Sequence, residues 1–287
     1  MPFHRRLACK LNYFQSIILM FAAVILIGAA LLMLPISAQE RTVTPFHEAL
    51  FTATSAVCVT GLVVRDTASH WSAFGQAVLM VLIQIGGLGV ITVGASFSLL
   101  SGRRISLSQR GRMQEAMSAP KVGGIVRLTG FVIRTSLMIE GIGALCMLPV
   151  FCRDFGVSGI WKAVFHSVSA FCNAGFDLMG TTDMPFVSLT AYRADPVINL
   201  TISALIVVGG VGFLTWDDVR TNRLCFHRYR LQSKVILTAT ALLILLPTLY
   251  FFCFEFKGST LRERLLLSLF QSVTPRTAGF NTADYTS

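Results

Sequence analysis

The chain has 287 residues, 54% of them hydrophobic and only 13% charged. Soluble domains carry about a quarter charged residues, so the composition argues against ordinary soluble, disordered or collagen-like chains. Apolar blocks long enough to cross a bilayer instead predict an all-α polytopic membrane protein. The net charge of +10 would suit nucleic acid, but no aromatic-studded basic domain accompanies it, and a nucleic-acid partner is not expected.

The first apolar span runs from Phe14 to Leu34. It is too long for a signal-peptide core of about 7–15 residues, so it reads as a retained first helix. A moderately apolar stretch, Pro45–Ala56, follows; its length of roughly 10–12 residues suits a re-entrant half-helix rather than a span. Thr44 and Pro45 read as its N-cap and first-turn proline. The second span covers about 74–100 and the third about 125–151, with the basic stretch 101–127 where they meet. A second half-helix, Trp161–Phe171, precedes the fourth span, 197–216. The basic stretch 217–234 leads to the fifth span, 235–254, and a third half-helix, Leu261–Val273, whose Thr260 and Glu263 fit a capping box.

Orientation comes from charge. The N-terminus (Arg5, Arg6, Lys10) and the stretches 101–127 and 217–234 together hold 14 of the 24 Lys and Arg but only three acids, Glu115, Asp217 and Asp218. That asymmetry places all three segments, and hence the N-terminus, in the cytoplasm. Topology setting and attraction to anionic lipid explain the basic loops; docking of a cytoplasmic partner is the alternative.

Each half-helix has a similar tail. The tails end at Gly61-Leu62, Gly175-Phe176 and Gly279-Phe280, with the glycines 114 and 104 residues apart. A second motif repeats as Gly86-Gly87-Leu88-Gly89 and Gly209-Gly210-Val211-Gly212, read as close packing by small residues. The unit is long helix, short helix, glycine loop, long helix. It divides the chain into unit 1 (1–100), a basic loop (101–124), unit 2 (125–219), a second basic loop (220–234) and an incomplete unit 3 (235–287).

Non-helical backbone at membrane depth is tolerated where it is buried or lines a water-filled cavity, so the repeated loop points to a pore. Side chains at matching places differ: Cys58, Cys172 and Arg276 precede the glycines by three residues. Backbone carbonyls are common to all residue types, and a ring of carbonyls can replace the hydration shell of potassium. Glycine supplies the backbone angles, and the negative ends of the short helices favour a cation.

The stretches Val57–Leu62, Ser169–Phe176 and Arg276–Thr282, with Gln84–Gly89 and Gly209–Phe213, closely resemble successive filter loops and inner helices of the ion-translocating subunit of Trk/Ktr/HKT-type potassium transporters, and the Ktr branch in particular. The resemblance covers essentially the whole chain. It implies helix–pore helix–filter loop–helix units around a pseudo-fourfold pore in the cell membrane. It also implies potassium uptake, with sodium possible as a transported ion, homodimerisation, a cytoplasmic ring of nucleotide-binding regulatory subunits, no enzymatic activity and no bound cofactor. The potassium-binding residues it carries over are Cys58, Val59, Thr60 and Gly61; Cys172, Asn173, Ala174 and Gly175; and Arg276, Thr277, Ala278 and Gly279. The third unit's inner helix and a fourth unit are not in the sequence, so the alternative is a truncated, non-transporting or interfering fragment.

Other polar residues carry weaker signals. Arg134 and Glu140 lie within span three, six residues apart and so on different helix faces. A direct transport role competes with snorkelling or inter-helix pairing. His47, His166, Cys172 and Asp177 lack any recognised zinc spacing. His166 is expected to pack or hydrogen-bond. Asp66 and Asp177 either concentrate cations at the mouth or are solvated loop acids. The seven cysteines are scattered, without C-x-x-C, and read as small packing residues.

Overall fold

The computed structural model describes residues 13–89, 92, 93, 111, 125–223, 225–256, 258 and 260–283. The basic N-terminus, most of the stretch 101–127 and the end of the second predicted span lie outside the described residues.

Helix α1, Tyr13–Leu32, is followed by the short α2, Phe46–Val57, a single turn α3, Thr67–His70, and α4, Ala73–Leu88. Helix α5 spans Ile125–Phe155, α6 Ser158–Phe171 and α7 Pro196–Gly210, and α8 covers Phe213–Asn222. Helix α9, Leu231–Tyr250, ends in a π-helical turn, Phe251–Glu255, and α10 covers Leu261–Val273. Among the described residues the one β feature is an isolated bridge between Ala38 and Trp71.

The repeat is visible in the packing. Helices α1, α2 and α4 pack together, as do α5, α6 and α7, and α9 packs on α10. Each inner helix also reaches the next unit: α4 contacts α6, and α7 contacts α10. The short helices therefore sit centrally and are the most buried elements; nine residues of α6 are buried. Only Ser233 and Thr240 of α9 are buried, while Leu242, Leu245, Leu246 and Leu249 are exposed. An apolar face of that extent requires a lipid or protein cover. Among the described residues three helices are long and apolar enough to cross a membrane, or four if the bent pair α7–α8 counts as one. This is a multi-pass membrane architecture.

Several expected boundaries shift. Helix α2 begins at Phe46 with Pro45 as N-cap; Thr44 does not cap it but hydrogen-bonds His70 Nε2 at 3.2 Å. Thr260 does cap α10, its Oγ1 accepting from Glu263 N–H at 3.5 Å and donating to the Glu263 carboxylate at 3.2 Å. The fourth span, 197–216, is not one helix: α7 and α8 meet at 93°. The break lies at Gly212, which has φ +87, and Gly89 ends α4 with φ +84. The third glycine of each Gly-Gly-x-Gly motif thus terminates the inner helix, a role beyond the small-residue packing expected of the motif.

The first glycine of each motif does pack. A Cβ on Gly86 would overlap the carbonyl oxygen of Val57, the last residue of α2; a Cβ on Gly209 would overlap that of Phe171, the last residue of α6. Only a glycine lets the inner helix come this close to the end of the short helix.

Beyond the break, α8 is locked to the start of α9. Buried Asp218 accepts from Arg230 N–H at 3.1 Å and from the Ser233 hydroxyl at 2.5 Å, and its Oδ1 lies 3.3 Å from Arg230 Nε. Asp217 pairs with the same guanidinium at 3.1 Å.

Candidate functional site

The three glycine loops converge. A Cβ on Gly61 would lie 2.6 Å from the carbonyl oxygen of Ala174 and 3.6 Å from that of Ala278. A Cβ on Gly175 would overlap the carbonyl oxygen of Ala278. On Gly279 it would meet no described atom within 4 Å. The three loops therefore face one another in order, first to second to third, with backbone oxygens between them and one side of the third open. All three glycines have positive φ: +81, +71 and +80.

Loops one and two are built alike. Thr60 N–H donates to Ser55 O and Ala174 N–H to Ser169 O, both at 2.8 Å. Val59 and Asn173 occupy the left-handed region at φ +57 and +59. For β-branched Val59 that conformation costs roughly 1–2 kcal/mol. Strain of this kind persists where the surroundings over-determine it and clusters at functional positions.

Loop three departs from this pattern. Helix α10 passes into a 3-10 turn, Thr274–Arg276. Ala278 N–H and Gly279 N–H both donate to Thr274 O, at 3.1 and 3.2 Å, and Thr277 has φ −157. Five residues separate the end of α10, Val273, from Gly279, against three between helix end and glycine in loops one and two. Arg276 matches Cys58 and Cys172 when counted from the glycine but not when counted from the helix. Its side chain turns away from the loops and donates to Thr240 Oγ1 on α9 at 3.1 Å.

A hydroxyl backs each loop. Ser169 donates to Phe176 O at 2.6 Å and Thr274 to Phe280 O at 2.7 Å. Ser55, in the matching place, is buried without a partner. Sequence reasoning missed these residues; their signal was a hydroxyl six, six and five residues before the glycine.

The remaining predicted residues divide by side-chain direction. Cys58 is exposed and Cys172 buried, with the Cys172 thiol 3.9 Å from Gln84 Oε1 and against Gly87. Ala174 and Ala278 are buried and expose no functional side-chain atom. Asn173 reaches across to α7: its amide donates to Thr277 Oγ1 at 3.0 Å and Ile206 O at 3.1 Å and accepts from Gly210 N–H at 3.2 Å. It links loop two, loop three and the end of the broken inner helix.

Arg134 is exposed and Glu140 buried. Glu140 accepts from Gln84 Nε2 at 2.9 Å, joining α5 to α4. His166 is buried with both nitrogens engaged, Nδ1 donating to Lys162 O at 2.7 Å and Nε2 accepting from Leu178 N–H at 3.3 Å. Neither Asp66 nor Asp177 is a solvated loop acid. Asp66 caps α3, accepting from Ser69 N–H at 2.8 Å, and also accepts from Phe186 N–H at 3.0 Å. Asp177 accepts from Met179 N–H at 3.1 Å, and burial pushes its carboxyl up to about 6. Among the described residues no group of three or more His, Cys, Asp or Glu could hold a metal ion.

Residues 10–287 match the TrkH family, described as cation transport protein. The chain is 41% identical to the potassium/sodium uptake protein NtpJ of Enterococcus hirae, over 98% of this chain and 62% of the relative. It is 41% identical to the Ktr system potassium uptake protein B of Bacillus subtilis, over 95% of this chain and 61% of that one. Against the Vibrio alginolyticus protein of the same name it is 39% identical, over 95% and 60%. The chain thus spans about 60% of the length of these relatives. With its repeated short helices and convergent glycine loops, it belongs to the TrkH family of cation transport proteins.

Proposed function

We propose that this chain forms three sides of a cation-selective pore through which potassium is taken up across the cell membrane. The observation that carries this reading is the meeting of the loops, with the Ala174 and Ala278 carbonyls against Gly61 and Gly175. Backbone oxygens held at such close range can stand in for water around a dehydrated cation. The C-terminal ends of the short helices add negative potential at the same place.

The residues assigned to the ion are Cys58–Gly61, Cys172–Gly175 and Arg276–Gly279, acting through backbone oxygens; the Arg276 side chain serves α9 instead. The N-terminus and both basic stretches face the cytoplasm, and the glycine loops open outward. Potassium enters from outside, exchanges water for carbonyls, and moves inward with about 2.3 kcal/mol of driving force per 100 mV. The printed name of the Enterococcus relative includes sodium, so sodium is a second transported ion to test. The Ktr-system names of two relatives support a membrane subunit that works with other subunits; the assembly proposed for it is a homodimer on a cytoplasmic ring of nucleotide-binding subunits. The inner-helix breaks at Gly89 and Gly212 lie toward that ring.

Rubidium uptake by cells deficient in potassium uptake, expressing this chain in its natural reading frame, tests the reading. Uptake competed by potassium and abolished by Gly175→Asp is the expected result. Unchanged potassium-over-sodium preference in Gly175→Asp would refute the filter assignment.

A further inference from the structure

An apolar groove of about 370 Å³ runs between α5 and α7, its walls including Ile139, Ile142 and Cys146 on one side and Leu200, Ala204 and Val208 on the other. The α5 residues recur at three, four and seven positions and the α7 residues at four, so each set forms one stripe of its helix. Ile142, Cys146, Leu200 and Ala204 are exposed. Helix α5 is apolar enough to cross the membrane over Val126–Phe155, so the groove starts near the middle of that segment and faces hydrocarbon.

Followed toward the end of α5, the same stripe passes Pro149 and reaches Arg153, while the α7 stripe begins at Pro196. There a second cavity of about 380 Å³ opens among Arg153, Asp154, Tyr192, Asp195, Pro196 and Arg262. Ile139 and Arg153 are 14 residues apart, about 21 Å of helix. One leaflet with its headgroups is about 20–22 Å thick. The seam therefore offers apolar surface and charged groups at the separation they have in a phospholipid, which favours a lipid over a second copy of the chain as its occupant. The cleft's charges are balanced between two guanidiniums and two carboxylates. Arg153 pairs with Asp154 at 2.8 Å, and the Tyr192 hydroxyl donates to the same carboxylate at 3.0 Å. Asp195 caps α7 through Oδ1, which accepts from Val197 N–H at 2.9 Å and Ile198 N–H at 3.1 Å. Among the described residues, neither Asp195 Oδ2 nor the Arg262 guanidinium has a hydrogen-bond partner.

We infer that the seam between α5 and α7 is a binding site for a phospholipid with an amine-bearing zwitterionic headgroup, a phosphatidylethanolamine. An acyl chain lies in the groove, Arg262 holds the phosphate and Asp195 the ammonium. A guanidinium matches phosphate oxygens in geometry as well as charge, and a primary ammonium donates to a carboxylate oxygen. A choline headgroup has no N–H to donate, and a glycerol headgroup brings negative charge alone toward two carboxylates. The inference rests on the membrane-spanning fold and not on the pore reading. In the orientation proposed above, the lipid belongs to the outer leaflet.

The test is native mass spectrometry of the protein in its natural reading frame, released from detergent with phosphatidylethanolamine, phosphatidylcholine or phosphatidylglycerol of matched chains. Wild type should retain phosphatidylethanolamine about fivefold or more over the other two, as expected where charge-assisted hydrogen bonds form to one headgroup alone. Arg262→Gln should lower that retention about threefold or more by removing the phosphate partner. Ala204→Phe fills the groove and should lower retention of all three lipids. Equal retention of the three by wild type, as for lipids of the general annulus, overturns the inference. Preference for phosphatidylglycerol overturns it too, as does an Arg262→Gln protein with wild-type retention. A dimer that loses its partner in Ala204→Phe, with no lipid retained by wild type, assigns the face to a second copy and refutes the lipid site. If Ala204→Phe does not fold, the wild-type comparison and Arg262→Gln decide.

Discussion

The carbonyl oxygen of Ala278 occupies the place that a Cβ on Gly175 would take. Two loops more than a hundred residues apart in sequence are thereby pressed together, backbone against backbone. Gly175→Ala meets both that oxygen and a φ of +71. The strain alone is roughly 1–2 kcal/mol, and backbone cannot move aside as a flexible side chain can. We expect at least a tenfold loss of potassium-over-sodium preference, read by sodium competition against rubidium uptake.

The same steric argument separates the helix glycines. Gly86→Ala and Gly209→Ala would drive α4 and α7 off the ends of α2 and α6, at about 1–3 kcal/mol each for overpacking. Gly141 on α5 has nothing within 4 Å of its Cβ position, so Gly141→Ala should be neutral or stabilising by up to about 1 kcal/mol. Thermal unfolding of the three variants in detergent checks the order.

The loop-backing hydroxyls should rank by partnership. Ser169→Ala and Thr274→Ala each leave a carbonyl without its donor and should cost about 1–3 kcal/mol. Ser55→Ala removes a buried hydroxyl that has no partner and should be neutral or stabilising. Chemical unfolding monitored by tryptophan fluorescence gives the comparison; equal losses at all three positions would contradict the asymmetry.

Asp218→Asn should loosen α8 from α9. The buried carboxylate accepts from Arg230 N–H and the Ser233 hydroxyl and faces a guanidinium. Hydrogen bonds to a charged group are worth about 1.5–3 kcal/mol. The expected readout is faster hydrogen exchange confined to residues 213–234, with the glycine loops unchanged.

Much was legible from the chain alone, for particular reasons. Hydropathy located α1, α5 and α9 because length and apolarity are local properties. The repeat located all three loops because positive φ demands glycine at Gly61, Gly175 and Gly279. The break in the fourth span was missed because residues 197–216 are apolar throughout, and hydropathy does not register the φ of Gly212. The role of Asp66 stayed open between cation attraction and a solvated loop acid because its partner, Phe186 N–H, lies 120 residues away in sequence.

By itself the sequence determined the apolar helices α1, α5 and α9 and the positions of the loop glycines, since each depends on neighbours a few residues away. Only the tertiary structure decided which carbonyl faces which glycine. It also decided that Asn173 ties two loops to an inner helix, and that Arg276 serves α9 rather than the loop centre. The physical reason is that a side chain's direction follows from the backbone path, and the 3-10 turn Thr274–Arg276 redirects that path in loop three.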